Sequence, residues 1–137
     1  MSVEVSDPGI LASHRARTLR FPPRDDDRGS LLPLDFTGLP FAPRRLFVVQ
    51  QVPPGSVRGQ HAHKRARQLL VCVAGRVEVE LRDAGAAESV TLDRADTGLL
   101  IEAGVWAAQT YVEPGTVLLV LSSEPYDSES YVRDEVS

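Results

Sequence analysis

Short apolar runs recur along the chain, broken at close intervals by glycine, proline and acidic residues, and this rhythm predicts strands joined by turns. "RRLFVVQQV" (44–52) is β-branched and aromatic, and "PPG" (53–55) stops it. "SVRGQHAH" (56–63) can run back as a second strand. "QLLVCVAG" (68–75) is a nearly continuous apolar run closed by Gly75, and "RVEVELRD" (76–83) alternates with period two, so the two predict a hairpin. Further strands are predicted at 89–92, at 98–102, after Gly104 and within "GTVLLVLSS" (115–123). Gly55, Gly75, Gly98 and Gly104 are assigned to turns. No stretch carries a convincing helical period. Many short strands with regular turns predict an all-β sandwich or barrel in one domain, residues 28–137, after an irregular lead-in over residues 1–27 that includes "PPRDDD".

Composition narrows the class. A chain of 137 residues with 42% hydrophobic content can bury one sizeable core. Its formal net charge of −4 and pI near 5.3 speak against a nucleic-acid footprint, although a local arginine cluster can still hold a phosphate. The single cysteine, Cys72, lies within an apolar run and reads as a buried, inert thiol. No window approaches the roughly 18 apolar residues of a membrane helix, and the expected location is the cytoplasm.

Candidate chemistry concentrates in "RGQHAHKRARQ" (58–68), which holds two of the three histidines and the only lysine. On a strand, His61 and His63 point to one face and Ala62 to the other, so both rings can enter one cavity. Taken alone, such a pair fits metal ligation, acid/base work or structural hydrogen bonding.

The spacing Gly55, five residues, His61, one residue, His63, four residues, Gln68, six residues, Gly75 resembles the first motif of the cupin superfamily. That resemblance implies an antiparallel jelly-roll barrel, the cupin double-stranded β-helix. A metal-binding cupin would carry glutamate at the place of Gln68 and a further histidine after "GLLIEAGVW", where this chain has Trp106, Ala107, Ala108 and Gln109. His14 is the only other imidazole and falls in the lead-in. Two histidines make a weak metal site, so a metal-free barrel is expected, and there the pair becomes an acid/base apparatus.

A narrower resemblance rests on "DRGSLLPLD" (27–35), "LPFAPRRLFVV" (39–49), "RGQHAHK" (58–64), "GLLIEAGVW" (98–106), "VLLVLSS" (117–123) and "YDSESYVRD" (126–134). Together these resemble the dTDP-4-keto-6-deoxyglucose 3,4-ketoisomerases, metal-independent cupins of deoxysugar biosynthesis. The family implies a dTDP-linked 4-keto-6-deoxy sugar as substrate, no cofactor, no nucleic-acid or membrane partner, and a homodimer. It implies His63 as the base at C3 and His61 as its partner, with the reverse order also open. Arg58 would grip a diphosphate or an enolate oxygen with its fixed fork of donors, and Gln68 would be a neutral hydrogen-bond partner. Lys64, Trp106, Tyr111 and Arg28 complete the expected substrate-binding set, although Lys64 also fits a solvated turn and Trp106 the core. Where the family would have tyrosines, this chain has Phe47 and Val48, so Tyr111 is the expected source of a phenol. Tyr126, Tyr131 and Arg133 are assigned to anchoring the C-terminal tail. A noncatalytic sugar-nucleotide-binding cupin and a metal-dependent cupin oxygenase are the competing readings.

Overall fold

The computed structural model describes residues 4–5 and 15–132. Period-two alternation is clearest in β8, where Val77, Val79 and Leu81 are sealed from water while Glu78, Glu80 and Arg82 reach toward it. In chain order the strands are β1 (Glu4–Val5), β2 (Ala16–Arg20), β3 (Arg24–Asp26), β4 (Gly29–Leu31), β5 (Arg45–Val49), β6 (Val57–His63) and β7 (Gln68–Ala74). They continue as β8 (Val77–Asp83), β9 (Ala86–Leu92), β10 (Thr97–Ile101), β11 (Trp106–Tyr111), β12 (Val117–Ser122) and β13 (Tyr131–Val132). Asp83 pairs with Ala86, and the two residues between them, Ala84 and Gly85, both have positive φ (50° and 83°), the backbone that a tight hairpin turn requires.

Two antiparallel sheets face each other, ordered β1-β2-β10-β7-β12-β5 and β13-β6-β11-β8-β9. Between them lie Leu70, Cys72, Leu99, Ile101, Leu118 and Val120 from the first sheet and Val77, Val79, Leu81, Ala107 and Tyr111 from the second. A second cluster, Leu19, Leu69, Val71, Leu100 and Leu121, lies on the outer face of the first sheet, where Phe41 joins it and Leu34 and Leu39 pack against it. This is the predicted antiparallel jelly roll. The apolar run of β7 follows from it, since Leu69, Leu70, Val71 and Cys72 are covered on both faces, while Val73 and Ala74 at its end are exposed.

Three expectations change. The irregular lead-in over 1–27 contains β2, a full strand of the larger sheet, with Ala16, Leu19 and Phe21 buried. Its arginines at 17 and 20 hid the pattern, because a strand covered on both faces needs only a few apolar contacts on each. Gly98 lies inside β10 and not in a turn: a Cβ there would sit 2.8 Å from Leu69 Cδ1 and 3.0 Å from the Phe21 ring. Arg24–Leu31 folds as a separate hairpin, β3 with β4. His14 and Arg133 lie outside the described residues. Among the described residues no helix is long and apolar enough to cross a membrane. Cys72 is buried, and burial pushes its thiol pKa up, as an inert core sulfur requires.

Candidate active site

Arg58 lies an odd number of residues before both histidines, so plain alternation would turn it away from them. The register of β6 against β11 prevents this. Ala107 faces His61 and Ala108 faces Gly59, which leaves Gln60 with no partner on that strand. Gly59 and Gln60 both have positive φ (87° and 59°), and the extra residue forms a β-bulge. Beyond it Arg58 pairs with Gln109, and Arg58, Gly59, His61, His63 and Gln109 all line one cavity of about 320 Å³.

The bulge also fixes an imidazole. His61 Nδ1 lies 2.7 Å from the Gly59 carbonyl oxygen, which can only accept, so Nδ1–H donates and the lone pair of the neutral ring lies at Nε2. The His61 and His63 centroids are 4.9 Å apart with planes at 76°. Tyr131 of β13 lies flat on His61 at 4.5 Å and edge-on to His63 at 4.7 Å. Burial, reinforced by His61 and by the Arg45 guanidinium, pulls the His63 pKa down from 6.5 to about 4. His63 is therefore a neutral imidazole at physiological pH.

The remaining wall divides by charge. Arg45 stands over the Phe47 ring at 4.5 Å and over Tyr126 at 5.1 Å. Tyr111, 1% exposed, has its phenol pKa pushed up to about 12 by burial, with Arg58 opposing, so it stays protonated and able to donate. Glu102 is held by Arg67 through two hydrogen bonds of 2.7 and 3.0 Å, which neutralises the one carboxylate that the described residues bring to the cavity wall.

Of the residues expected from sequence, His61, His63, Arg58, Gln68 and Tyr111 meet in this cavity. Lys64, Trp106 and Arg28 do not line it. Lys64 follows the end of β6 with an exposed side chain, and its backbone N–H donates to Ser130 O at 2.8 Å. Trp106 has the opposite parity to Ala107, Gln109 and Tyr111 and faces outward, where the Arg82 guanidinium stands 5.4 Å from its ring. Arg28 belongs to the β3–β4 hairpin and bonds Asp26 through its backbone N–H (2.8 Å) and its guanidinium (3.0 Å). Sequence reasoning missed Arg45, Gln109 and Tyr131. The first was detectable: 45, 47 and 49 share one face of β5, and an arginine among apolar inward positions signals a site.

The donor set does not fit a cupin metal. Among the described residues no three His, Cys, Asp or Glu side chains gather as a metal site would require, and Gln68 offers a neutral amide.

The paired sheets and polar mouth define a cupin barrel. Residues 14–137 match the FdtA family (WxcM-like, C-terminal), and the chain belongs to that family. The TDP-4-oxo-6-deoxy-alpha-D-glucose-3,4-oxoisomerase of Aneurinibacillus thermoaerophilus is 34% identical over 109 residues, 79% of this chain and 78% of the relative. The sugar 3,4-ketoisomerase QdtA from Thermoanaerobacterium thermosaccharolyticum, solved with TDP, has a TM-score of 0.85 at 31% identity, with 88% of this chain and 89% of that one covered. The WlaRB TDP-quinovose 3,4-ketoisomerase of Campylobacter jejuni gives 0.83 at 33%, covering 87% and 92%.

Gly59 carries a direct test of the bulge. A Cβ there would lie 2.6 Å from Gln109 Oε1 on backbone at φ +87°, whereas Gly115, at φ +75°, has nothing within 4 Å. Gly59→Ala should cost roughly 1–3 kcal/mol in chemical denaturation and more than Gly115→Ala, which bears the backbone strain alone. Equal losses in the two variants would mean that Gln109 yields freely and that packing does not tie the bulge to the site.

Proposed function

We propose that this chain is a metal-independent sugar-nucleotide 3,4-ketoisomerase, moving the carbonyl of dTDP-4-keto-6-deoxyglucose from C4 to C3. The observation that carries this reading is the imidazole pair in one cavity whose wall also holds Arg45 and Arg58. Related chains point the same way, since a QdtA variant has been solved with TDP-4-keto-6-deoxyglucose.

The chemistry needs a base, a hydrogen-bond donor for a developing oxyanion and a return path for one proton. His63, neutral by burial, takes the proton from C3. The bonding pair becomes the C3=C4 double bond of an enediolate, and O4 takes the negative charge. The protonated Tyr111 phenol and the Arg58 guanidinium supply donors for that charge. Delivery of a proton to C4 and passage of the C3 hydroxyl proton to O4 leave the carbonyl at C3 and a hydroxyl at C4. His61 is the partner that carries the second proton. Atoms and electrons balance without a redox cofactor.

Charge sets the pH dependence. A base works only when neutral, so activity falls as pH drops through its pKa. In the free protein that value is about 4, held down in part by Arg45. A bound diphosphate opposes Arg45 and raises it. The acid limb of kcat/KM, which reports the free enzyme, should therefore lie near pH 4, and the acid limb of kcat should lie higher. Because the native His63 value lies below its ordinary 6.5, the folded state binds fewer protons than the unfolded one, and stability should decline as pH falls from 6.5 toward 4. His63→Asn should lower kcat by about 10² to 10⁴-fold with a much smaller change in KM, and EDTA should leave wild-type turnover unchanged. Near-wild-type turnover in the variant, or activity lost to chelation and restored by a divalent cation, would sink the assignment.

We read the enzyme as a cytoplasmic homodimer. Leu46 and Val48 project from the outer face of edge strand β5 at 56% and 47% exposure, an apolar edge that a second copy would cover. Light scattering behind size exclusion should give about twice the 14.9 kDa chain mass; a single-chain mass at micromolar concentration would contradict it.

A further inference from the structure

After β12 the chain turns back to the site. Asp127 caps a single 3₁₀ turn, Ser128–Ser130, accepting from Glu129 N–H at 3.0 Å, and Arg65 pairs with Asp127 at 2.8 Å. Ser130 O then accepts from Lys64 N–H, and β13 adds to the free edge of β6 with Tyr131 opposite His63. This docking brings the phenol ring against both imidazoles: each of the three rings lies within 4.9 Å of the other two.

We propose that Tyr131 is a positioning residue for the imidazole pair, its ring holding His61 by stacking and His63 by edge contact so that both keep the orientation proton transfer needs. The inference rests on the acid/base reading of the pair. His61 is held by its Nδ1 bond to Gly59 and by the stack. His63 differs, because among the described residues no hydrogen bond holds either of its ring nitrogens. A base must keep a lone pair available, and ring packing can orient it without engaging that pair. Among the described residues, only His61 and Tyr131 make ring contacts with His63. The cavity groups around it are Arg45 from β5, Arg58 and His61 from β6, Gln68 from β7, Tyr111 from β11 and Tyr131 from β13, with Glu102 already bound to Arg67. The Tyr131 ring also covers part of the half-buried His63.

Tyr131→Leu and Tyr131→Phe separate ring from hydroxyl. In Tyr131→Leu, kcat should fall by about 10- to 100-fold with KM changed less than about threefold, since a misdirected base costs turnover and not binding. In the same ligand-free variant, the ¹⁵N-detected titration midpoint of His63 should rise by about one pH unit or more as water reaches the ring. Tyr131→Phe keeps the stack and should recover both readouts, with kcat within about threefold of wild type. Wild-type kcat with an unmoved midpoint in Tyr131→Leu would overturn the inference. So would a Tyr131→Phe as impaired as Tyr131→Leu, which would make the hydroxyl the active group. The titration needs no substrate, so a failure of this inference is read separately from a failure of the ketoisomerase reading.

Discussion

One extra residue in one strand decides what this barrel can do. The bulge at Gly59 and Gln60 reverses the parity of β6, and Arg58, His61 and His63 thereby share a face that plain alternation would split. The same bulge supplies the carbonyl that sets the His61 tautomer and brings Gly59 close to Gln109. Glycine fits this position on two counts, its left-handed backbone and the absence of a Cβ. The Arg-Gly pair before the histidines is therefore part of the site's geometry.

Around this bend the barrel interior divides into two regions. β8 fills one region with Val77, Val79 and Leu81, while in the other Leu70, Ile101, Leu118 and Val120 of β7, β10 and β12 line the cavity beside arginine, histidine, glutamine and tyrosine from β5, β6, β7, β11 and β13. The aliphatic side lowers the local dielectric, which keeps His63 neutral and Tyr111 protonated. Both states suit proton abstraction next to a ketone: one group accepts, the other donates. Arg45 adds a positive charge that helps lower the His63 pKa, and an anion bound beside it would oppose that effect.

Much of this could be read from the chain because alternation is a local signal. β8 and β7 follow their apolar patterns almost residue for residue, and the His-x-His spacing places two rings on one face. The signal failed where contacts are distant or parity breaks. β2 hides behind its arginines because its partners are far along the chain, and Tyr131 reaches the imidazoles only through the tail's docking on β6. Arg28, Lys64 and Trp106 sit in the right motifs, yet a local ion pair, a strand end and the outward parity of β11 keep them out of the cavity. No local pattern reports those outcomes.

The central claim is proton transfer between adjacent sugar carbons by a metal-free imidazole pair. Incubation of the protein with dTDP-4-keto-6-deoxyglucose in D₂O, followed by NMR, tests it most directly. The account predicts loss of the C3 proton signal, a new carbonyl at C3, and solvent deuterium at C4. A sugar nucleotide that binds the protein yet keeps its C3 proton and its C4 carbonyl would contradict it.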